Sequence, residues 1–218
     1  MPGSNERVGA VSGSAPLVHP TAIVENGVSI GPGSAIWDNV HIRGPGTSIG
    51  ADCIVGEKSH ISYGVQIGDH VKINAFVYIC TAVTIEVGVM VSAGTVFTND
   101  LYPRATYADL SSLRSSDPDE STQATLVREG ATLGARAVIG SDLTIGRFAM
   151  VGMGSVVTQT VGDFHLVVGH PARTVGYVCR CGPPFARFGA GDVPTGSWTC
   201  GACGRRYGVT DGSVTEIE

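Results

Sequence analysis

Apolar and polar positions follow a period of six along most of this chain. From residue 18 to residue 157 an aliphatic residue or Phe recurs at almost every sixth position, with a one-residue slip at Gly44-Pro45-Gly46 and an interruption after Phe97. The register consists of Val18, Val24, Ile30, Ile36, Ile42, Ile49, Val55, Ile61, Ile67, Ile73, Ile79, Ile85, Val91 and Phe97, then Val127, Leu133, Ile139, Ile145, Val151 and Val157. This period fits neither an amphipathic helix nor an alternating strand, and it is typical of a parallel β-helix.

Each repeat predicts a short strand that ends in a tight corner. Gly often follows the repeated aliphatic residue, as at Gly50, Gly68 and Gly140, and the residue two positions before it is usually small or branched. Three segments make one triangular turn, so the register predicts about seven turns and a prism roughly 30 Å tall. An antiparallel β-sandwich is the alternative, but it predicts a period of two with turns every eight to twelve residues or so.

Composition limits the classes of partner. The chain has 218 residues, 14 basic and 19 acidic, and a formal net charge of −5, which argues against nucleic acid as a main partner. No apolar run approaches the length of a membrane span, and the polar N-terminal segment does not resemble a secretory signal. We therefore expect a cytoplasmic protein with no membrane partner.

The interruptions of the register divide the chain into segments. We expect a flexible leader over 1–16, a β-helix domain over 17–178 with a projecting loop over 99–126, a small cysteine module over 179–208 and an acidic tail over 209–218. The loop is either a disordered insertion or a segment that lines a site. The second interpretation is favoured because long loops in compact domains are often functional.

Four of the six cysteines lie close together near the C-terminus. Cys179-x-Cys181 and Cys200-x-x-Cys203 are two short-spaced pairs, which suit a tetrahedral four-thiolate zinc site. Two disulfides or free thiols are the alternatives, and disulfides are rare in intracellular enzymes. Four protein ligands leave no open position, so the predicted zinc is structural. Cys53 falls on an inward position and is predicted to fill the core, whereas Cys80 follows an inward Ile at a corner and is predicted to be structural.

Several blocks resemble a known enzyme family. The hexapeptide repeats, the run VVGHPARTVG, and the blocks VFTNDLYPRA and LVREGATLGARAVIG resemble the left-handed β-helix acyltransferases. They are most similar to the N-acetyltransferases that act on the 3-amino group of UDP- or dTDP-linked sugars. The resemblance covers roughly 17–178. It implies a left-handed helix, a homotrimer, acetyl-CoA in the groove between neighbouring prisms, and a nucleotide-linked amino sugar beneath the projecting loop.

The resemblance also implies roles for individual residues in the acceptor site. Asn99 corresponds to the Asn that holds the sugar amine, whose lone pair its amide oxygen would orient. Asp100 follows it and would assist or counter the ammonium form. Asn99 alternatively serves only to turn the chain out of the prism, because Asn favours such corners.

Other candidates concern phosphates and coenzyme A. Arg104 and Arg128 are candidate contacts to substrate phosphates, because a guanidinium forks onto phosphate oxygens, although either is alternatively a solvated surface charge. Arg173 resembles the family position near the coenzyme A phosphates, and Gly152 and Gly154 fall where family backbone amides meet the pantetheine arm.

The histidines do not match a catalytic pattern. A neutral amine can attack a thioester once it is aligned, so a strong general base is optional. An O-acetyltransferase on the same fold is the alternative, but a hydroxyl acceptor needs a base more than an amine does. A prism-shaped carbonic anhydrase needs three converging His, and a scaffold needs neither the loop nor the terminating motif. The sequence does not decide the nucleotide, the sugar or whether C3 or C4 carries the amine.

Overall fold

The structure, a computed structural model, describes residues 13–189 and 194–217. Residues 1–12 of the expected leader and residue 218 of the expected tail lie outside the described residues. The described chain is all-β, with most of it wound into a three-sided prism of parallel strands. This confirms the predicted β-helix and its segment count.

The strands form three flat faces, which we call A, B and C in the order in which the chain visits them. Face A contains β1 (Leu17–Val18), β4 (Ala35–Ile36), β7 (Ile54–Val55), β10 (Lys72–Ile73), β13 (Met90–Val91), β16 (Thr132–Leu133), β19 (Met150–Val151) and β21 (His165–Gly169). Face B contains β2 (Ile23–Val24), β5 (His41–Ile42), β8 (His60–Ile61), β11 (Tyr78–Ile79), β14 (Val96–Phe97), β17 (Val138–Ile139) and β20 (Val156–Val157). Face C contains β3 (Ser29–Ile30), β6 (Ser48–Ile49), β9 (Gln66–Ile67), β12 (Val83–Ile85), β15 (Thr125–Val127) and β18 (Leu143–Ile145).

The repeated aliphatic residues fill the prism. Successive coils pair in register, so that Ile36, Val55 and Ile73 stand directly over one another on face A. These side chains are fully buried from Ile36 onward and form one continuous core. Val18 in the first coil is 40% exposed, because β1 has a neighbour on one side only among the described strands.

The corner glycines are required by close stacking rather than by unusual backbone angles. A Cβ atom on Gly134 would lie 2.6 Å from the backbone nitrogen of Met153 in the next coil. The left-handed conformation falls two residues later in the corner, where non-glycine residues adopt it, as Phe76 does with a φ of 59°. Gly therefore marks the point of closest approach between coils.

The prism ends in a hairpin and a small additional sheet. β21 still pairs parallel with β19, and β22 (Ala172–Val178) and β23 (Pro184–Arg187) then extend face A in antiparallel fashion. A fourth sheet contains β24 (Gly196–Thr199), β25 (Arg206–Thr210) and β26 (Ser213–Ile217).

Two boundaries drawn from the sequence move as a result. Residues 209–217 are not a separate acidic tail, because they complete β25 and form β26, whose backbone pairs with β25. The projecting segment ends at 124 rather than 126, since Thr125 and Leu126 pair with Val83 and Thr84 in face C. No helix long and apolar enough to cross a membrane is present in the described ranges.

His165 links the end of the prism to the fourth sheet, and we expect it to make stability depend on pH. Its Nε2 contacts the carbonyl oxygen of Gly212 at 2.8 Å, its Nδ1 lies 3.1 Å from Thr174 Oγ1, and burial lowers its pKa. Below the ordinary histidine pKa of about 6.5, the unfolded chain binds a proton that the folded chain does not. The free energy of unfolding therefore falls as the pH falls through this value, until the folded-state pKa is reached.

His165→Gln keeps a donor for the Gly212 carbonyl but does not titrate. The wild-type Tm should fall on acidification from about pH 7.5 to about pH 5.5, and the variant should lose less over the same range. His19→Gln, on the surface of the first coil, is the matched control and should behave as wild type. Equal pH profiles for wild type and His165→Gln would contradict the assignment.

Candidate functional site

The interruption of the register is an ordered loop at one edge of the prism. Residues 98–124 leave face B after β14 and return to face C at β15, along the line we call the BC edge. The carbonyl oxygen of Asn99 accepts a hydrogen bond from the Gln123 backbone at 2.8 Å, and Asp100 bridges Thr122 in antiparallel fashion. Ser141 Oγ in the next coil donates to Gln123 Oε1 at 2.7 Å. Both ends of the loop are therefore fixed to the prism at one point.

The loop folds back along the BC edge towards earlier coils. The Arg114 backbone nitrogen donates to the carbonyl of Ala105 at 3.0 Å, which closes the outer part of the loop into a hairpin-like arm. Tyr63 lies two coils before Asn99, and its hydroxyl donates to the Ser116 carbonyl at 3.2 Å. Arg43 stacks over the Tyr63 ring at 5.0 Å. The loop thus covers a stretch of the BC edge instead of extending into solvent.

A polar cavity of about 270 Å³ lies within the loop, between its first residues, 99–105, and its returning segment, 114–122. Its charged and amide side chains are Asn99, Asp100, Arg104, Arg114, Asp117 and Asp119. The Asn99 side-chain amide makes no hydrogen bond to any other described residue, whereas Asp100 Oδ1 accepts one from the Tyr102 backbone at 3.2 Å. Arg104 donates to the neighbouring Pro103 carbonyl at 3.0 Å. The cavity therefore offers an unengaged amide beside groups of both charges.

Arg128 stands at a different edge. It follows β15, at the corner between faces C and A, so one chain does not bring it together with Arg104. Its Nε lies 3.9 Å from Glu86 Oε2, is buried and has no hydrogen-bond partner within the described structure. Glu86 Oε2 instead accepts a hydrogen bond from the Glu129 backbone at 2.8 Å, and Arg147 Nε donates to Glu129 at 2.8 Å. Within one chain, Arg128 therefore belongs to a charged cluster at this corner and does not line the loop cavity.

The three residues expected to meet coenzyme A lie near one another at the corner between faces A and B. Gly152 follows β19, and a Cβ there would lie 2.7 Å from Val168 Cγ1. Gly154 has a φ of 66° and open space beside it. Arg173 pairs with Val168 across the terminal hairpin and is exposed, with its Nη1 bonded to the Ala172 carbonyl at 2.8 Å. Close packing against Val168 therefore explains the glycine at position 152, whether or not a ligand binds there.

A ring column on face B was missed by the sequence analysis. His41 and His60 are partners in adjacent strands, with ring centroids 5.1 Å apart, and Tyr78 stacks on His60 at 5.4 Å. His41 Nε2 donates a hydrogen bond to Glu25 Oε1 at 2.8 Å, which lowers the pKa of Glu25. Burial lowers the pKa of His60. The signal was present in the sequence, because both His precede a register Ile and their spacing equals one turn plus the known slip.

The four cysteines predicted to bind metal do come together. The sulfur atoms of Cys179, Cys181, Cys200 and Cys203 all lie within 4.8 Å of one another. Cys53 and Cys80 are buried in the prism, and burial raises the pKa of both thiols, as expected for core residues.

Sequence comparison agrees with the repeat. A family model described as the hexapeptide repeat of succinyl-transferase matches residues 46–81 and 129–159. The chain is 42% identical over 98 residues to a dTDP-3-amino-3,6-dideoxy-alpha-D-galactopyranose 3-N-acetyltransferase of Aneurinibacillus thermoaerophilus, which covers 45% of this chain and 47% of that protein. It is 30% identical over 148 residues to the bifunctional protein GlmU of Synechococcus sp. (strain CC9311), which covers 68% of this chain and 27% of that protein.

The chain thus spans about half the length of the first of these relatives and about a quarter of the second. Among solved structures, a mutant of AntD, an N-acyltransferase from Bacillus cereus, in complex with dTDP and coenzyme A, is 20% identical with a TM-score of 0.46, covering 70% of this chain and 85% of that one. That similarity is too low to bear on function. The described chain is thus a parallel β-helix that matches the left-handed hexapeptide-repeat fold, and part of its sequence is similar to that of a nucleotide-sugar N-acetyltransferase.

Proposed function

We propose that this protein is an acetyl-CoA-dependent N-acetyltransferase that acts on the amino group of a nucleotide-linked amino-deoxy sugar. The observation that carries the proposal is the 42% identity, over 98 residues, to an enzyme named for that reaction on a dTDP-linked sugar. The unengaged Asn99 amide in the loop cavity supports it. The amine that receives the acetyl group donates hydrogen bonds, and the free amide oxygen can accept one of them.

In the proposed reaction the sugar nitrogen attacks the thioester carbonyl carbon. The new N–C bond forms as the C–S bond breaks, and coenzyme A leaves with the electron pair as a thiolate. The nitrogen loses a proton, which the thiolate takes up directly or through solvent, so that free coenzyme A thiol is the second product. Asn99 Oδ1 would accept a hydrogen bond from the amine and so direct its lone pair, and Asp100 lies beside it in the same cavity. Alignment of this kind supplies much of the rate of a bimolecular transfer.

Charges in the cavity suit a zwitterionic acceptor. Arg104 and Arg114 lie in the same cavity as Asp117 and Asp119. The guanidinium groups would bind the phosphates of the nucleotide sugar, and the carboxylates would attract its ammonium group. Arg114 Nη2 lies 3.7 Å from Asp119 Oδ2, whereas Arg104 forms no ion pair with a described residue and donates to the neighbouring Pro103 carbonyl. Arg104 is therefore the freer of the two for a phosphate.

The proposed site is completed between subunits of a homotrimer. Arg128 and the Gly152–Arg173 region lie at edges other than the BC edge within one chain, so a single prism does not assemble all the proposed contacts. Packing of prisms side by side would bring the BC edge of one subunit to another edge of its neighbour. Acetyl-CoA would then lie in the groove, near Gly152, Gly154 and Arg173.

No step of the transfer is assigned to the four-cysteine cluster. It stands beyond the end of the prism, after β22, while the loop cavity opens at the BC edge. Four thiolate ligands around one ion would also leave no coordination position for a substrate.

Release of free coenzyme A thiol tests the proposed function directly. The protein is incubated with acetyl-CoA and a panel of UDP-, dTDP- and GDP-linked amino sugars, with the corresponding hydroxyl sugars as controls. We expect thiol release and an N-acetylated product with at least one amino sugar. Release only with hydroxyl sugars would instead establish an O-acetyltransferase. If none of the sugars in the panel gives thiol release, the proposal is overturned.

Asn99→Ala should lower kcat by about 100-fold while the Tm stays within a few degrees, because orientation of the amine is lost but the backbone bond to Gln123 remains. Asn26→Ala is the matched control, since Asn26 occupies the same corner position in the first coil. It should turn over as wild type does. Near-normal turnover by Asn99→Ala would show that Asn99 only shapes the corner.

Tyr63→Phe should loosen the loop, because it removes the hydroxyl that donates to the Ser116 carbonyl. One hydrogen bond of this kind contributes about 1 kcal/mol. We expect faster proteolysis within 98–124 and a KM for the amino sugar several-fold higher, with the KM for acetyl-CoA unchanged. Tyr78→Phe, on the face B ring column, is the control for loss of a tyrosine hydroxyl. An unchanged proteolysis rate in Tyr63→Phe would contradict the role of this contact.

A further inference from the structure

Four sulfur atoms lie at the spacing of a tetrahedral metal site. Cys179 Sγ is 3.4 Å from both Cys181 Sγ and Cys203 Sγ, and Cys181 Sγ is 3.6 Å from Cys200 Sγ. These separations are far longer than a disulfide bond of about 2.05 Å. They approach the edge of a tetrahedron with metal–sulfur bonds of about 2.3 Å, which is roughly 3.8 Å. The four thiols are therefore spaced for one shared ion.

The ligand set selects the kind of ion. The cluster contains sulfur only, with no carboxylate or imidazole among its four members. Thiolates favour soft or borderline metals, and a closed four-thiolate shell is typical of structural Zn²⁺. Four thiolates around a divalent cation carry a net charge of −2. Two donors face this charge: Arg205 Nη1 lies 3.6 Å from Cys203 Sγ, and the Tyr207 hydroxyl lies 3.1 Å from Cys179 Sγ.

The four cysteines adjoin the ends of strands in two different sheets. Cys179 and Cys181 directly follow β22, which belongs to face A of the prism, whereas Cys200 and Cys203 lie in the turn between β24 and β25. An ion bound by all four would join the terminal hairpin of the prism to the fourth sheet.

Besides the cysteines, an aromatic cluster, the contact of His165 Nε2 with the Gly212 carbonyl and the Arg180–Glu216 pair join the fourth sheet to the end of the prism. The three strands of this sheet contain four, five and five residues. Tyr207 packs its ring against Phe185 at 4.4 Å and Phe164 at 5.4 Å, and Glu216 pairs with Arg205 at 3.0 Å. Such a short antiparallel sheet is marginal without a further constraint, and metal-bound modules of this size gain much of their folding free energy from the ion.

We propose that the four-cysteine cluster binds one Zn²⁺ ion, and that this ion ties the fourth sheet to the end of the prism. The site is structural. It is independent of the proposed acetyl transfer, so either proposal can fail without the other.

Metal content of the purified protein gives the first test. Elemental analysis should find about one zinc per chain, and replacement by Co²⁺ should give the visible absorption of a tetrahedral thiolate complex. Cys181→Ser and Cys203→Ser change exposed ligands and should lose most of the zinc. Ala202→Ser, an exposed change between Cys200 and Cys203, should keep it. No metal in the wild-type protein, iron in place of zinc, or full zinc retention in both cysteine variants would overturn the site.

Limited proteolysis with mass spectrometry tests the tie. Removal of zinc by a chelator should speed cleavage within 194–217 at least ten-fold, while the prism remains resistant, and added Zn²⁺ should restore protection. If the fourth sheet stays equally protected without metal, the ion does not hold it. If Cys181→Ser fails to fold, the metal content and Co²⁺ spectrum of the wild-type protein still decide whether the site exists.

Discussion

Parallel pairing of each coil with the next is the constraint on which the rest of this structure depends. A two-residue strand has too few hydrogen bonds to persist alone, and its single inward side chain is buried only when coils lie above and below. Complete burial of an Ile or Val side chain contributes about 1.5–3 kcal/mol, so the stacked columns far outweigh any single polar contact on the surface. The same spacing explains the corner glycines, because a side chain at Gly134 would collide with the backbone of the next coil.

This constraint also determines where irregular segments can leave. The loop departs after β14 on face B and re-enters at β15 on face C, which are consecutive stations of the same coil. Its ends are held together by the Asn99–Gln123 and Asp100–Thr122 pairs. The connection has 27 residues where the preceding coil has three, so 24 residues are inserted without a shift of register. The backbone at the base of such a loop is held in place by the prism, while the conformation of the arm beyond it can change without disturbing the coils. Asn99 therefore lies at a fixed position beside a segment that can adapt.

The prism was predictable from the sequence because large apolar residues recur at a spacing of six. Each register residue from Ile36 to Val157 is buried, as that pattern requires. The departure of the chain at Asn99 was predictable for the same reason. The fold-back of the loop was not, since Tyr63 and Ser116 are 53 residues apart and neither belongs to the register. The position of Arg128 could have been anticipated: it follows Val127 as Glu86 follows Ile85, and superposing coils across the interruption puts the two charges at one corner. Strand β26 was missed because acidic residues at a chain end resemble a solvated tail, although Val214 is buried against the aromatic cluster of the fourth sheet.

The two ends of the prism differ in a way that bears on self-assembly. At the far end, the antiparallel strands β22 and β23 follow the last parallel strand, and they cannot template another coil of the same repeat. At the near end of the described structure, β1 keeps one open edge, and Leu17 and Ile23 are exposed. Head-to-tail continuation of face A would need a parallel edge at both ends, and among the described strands of that face only β1 leaves one open. The terminal hairpin therefore prevents a second prism from continuing face A at the far end.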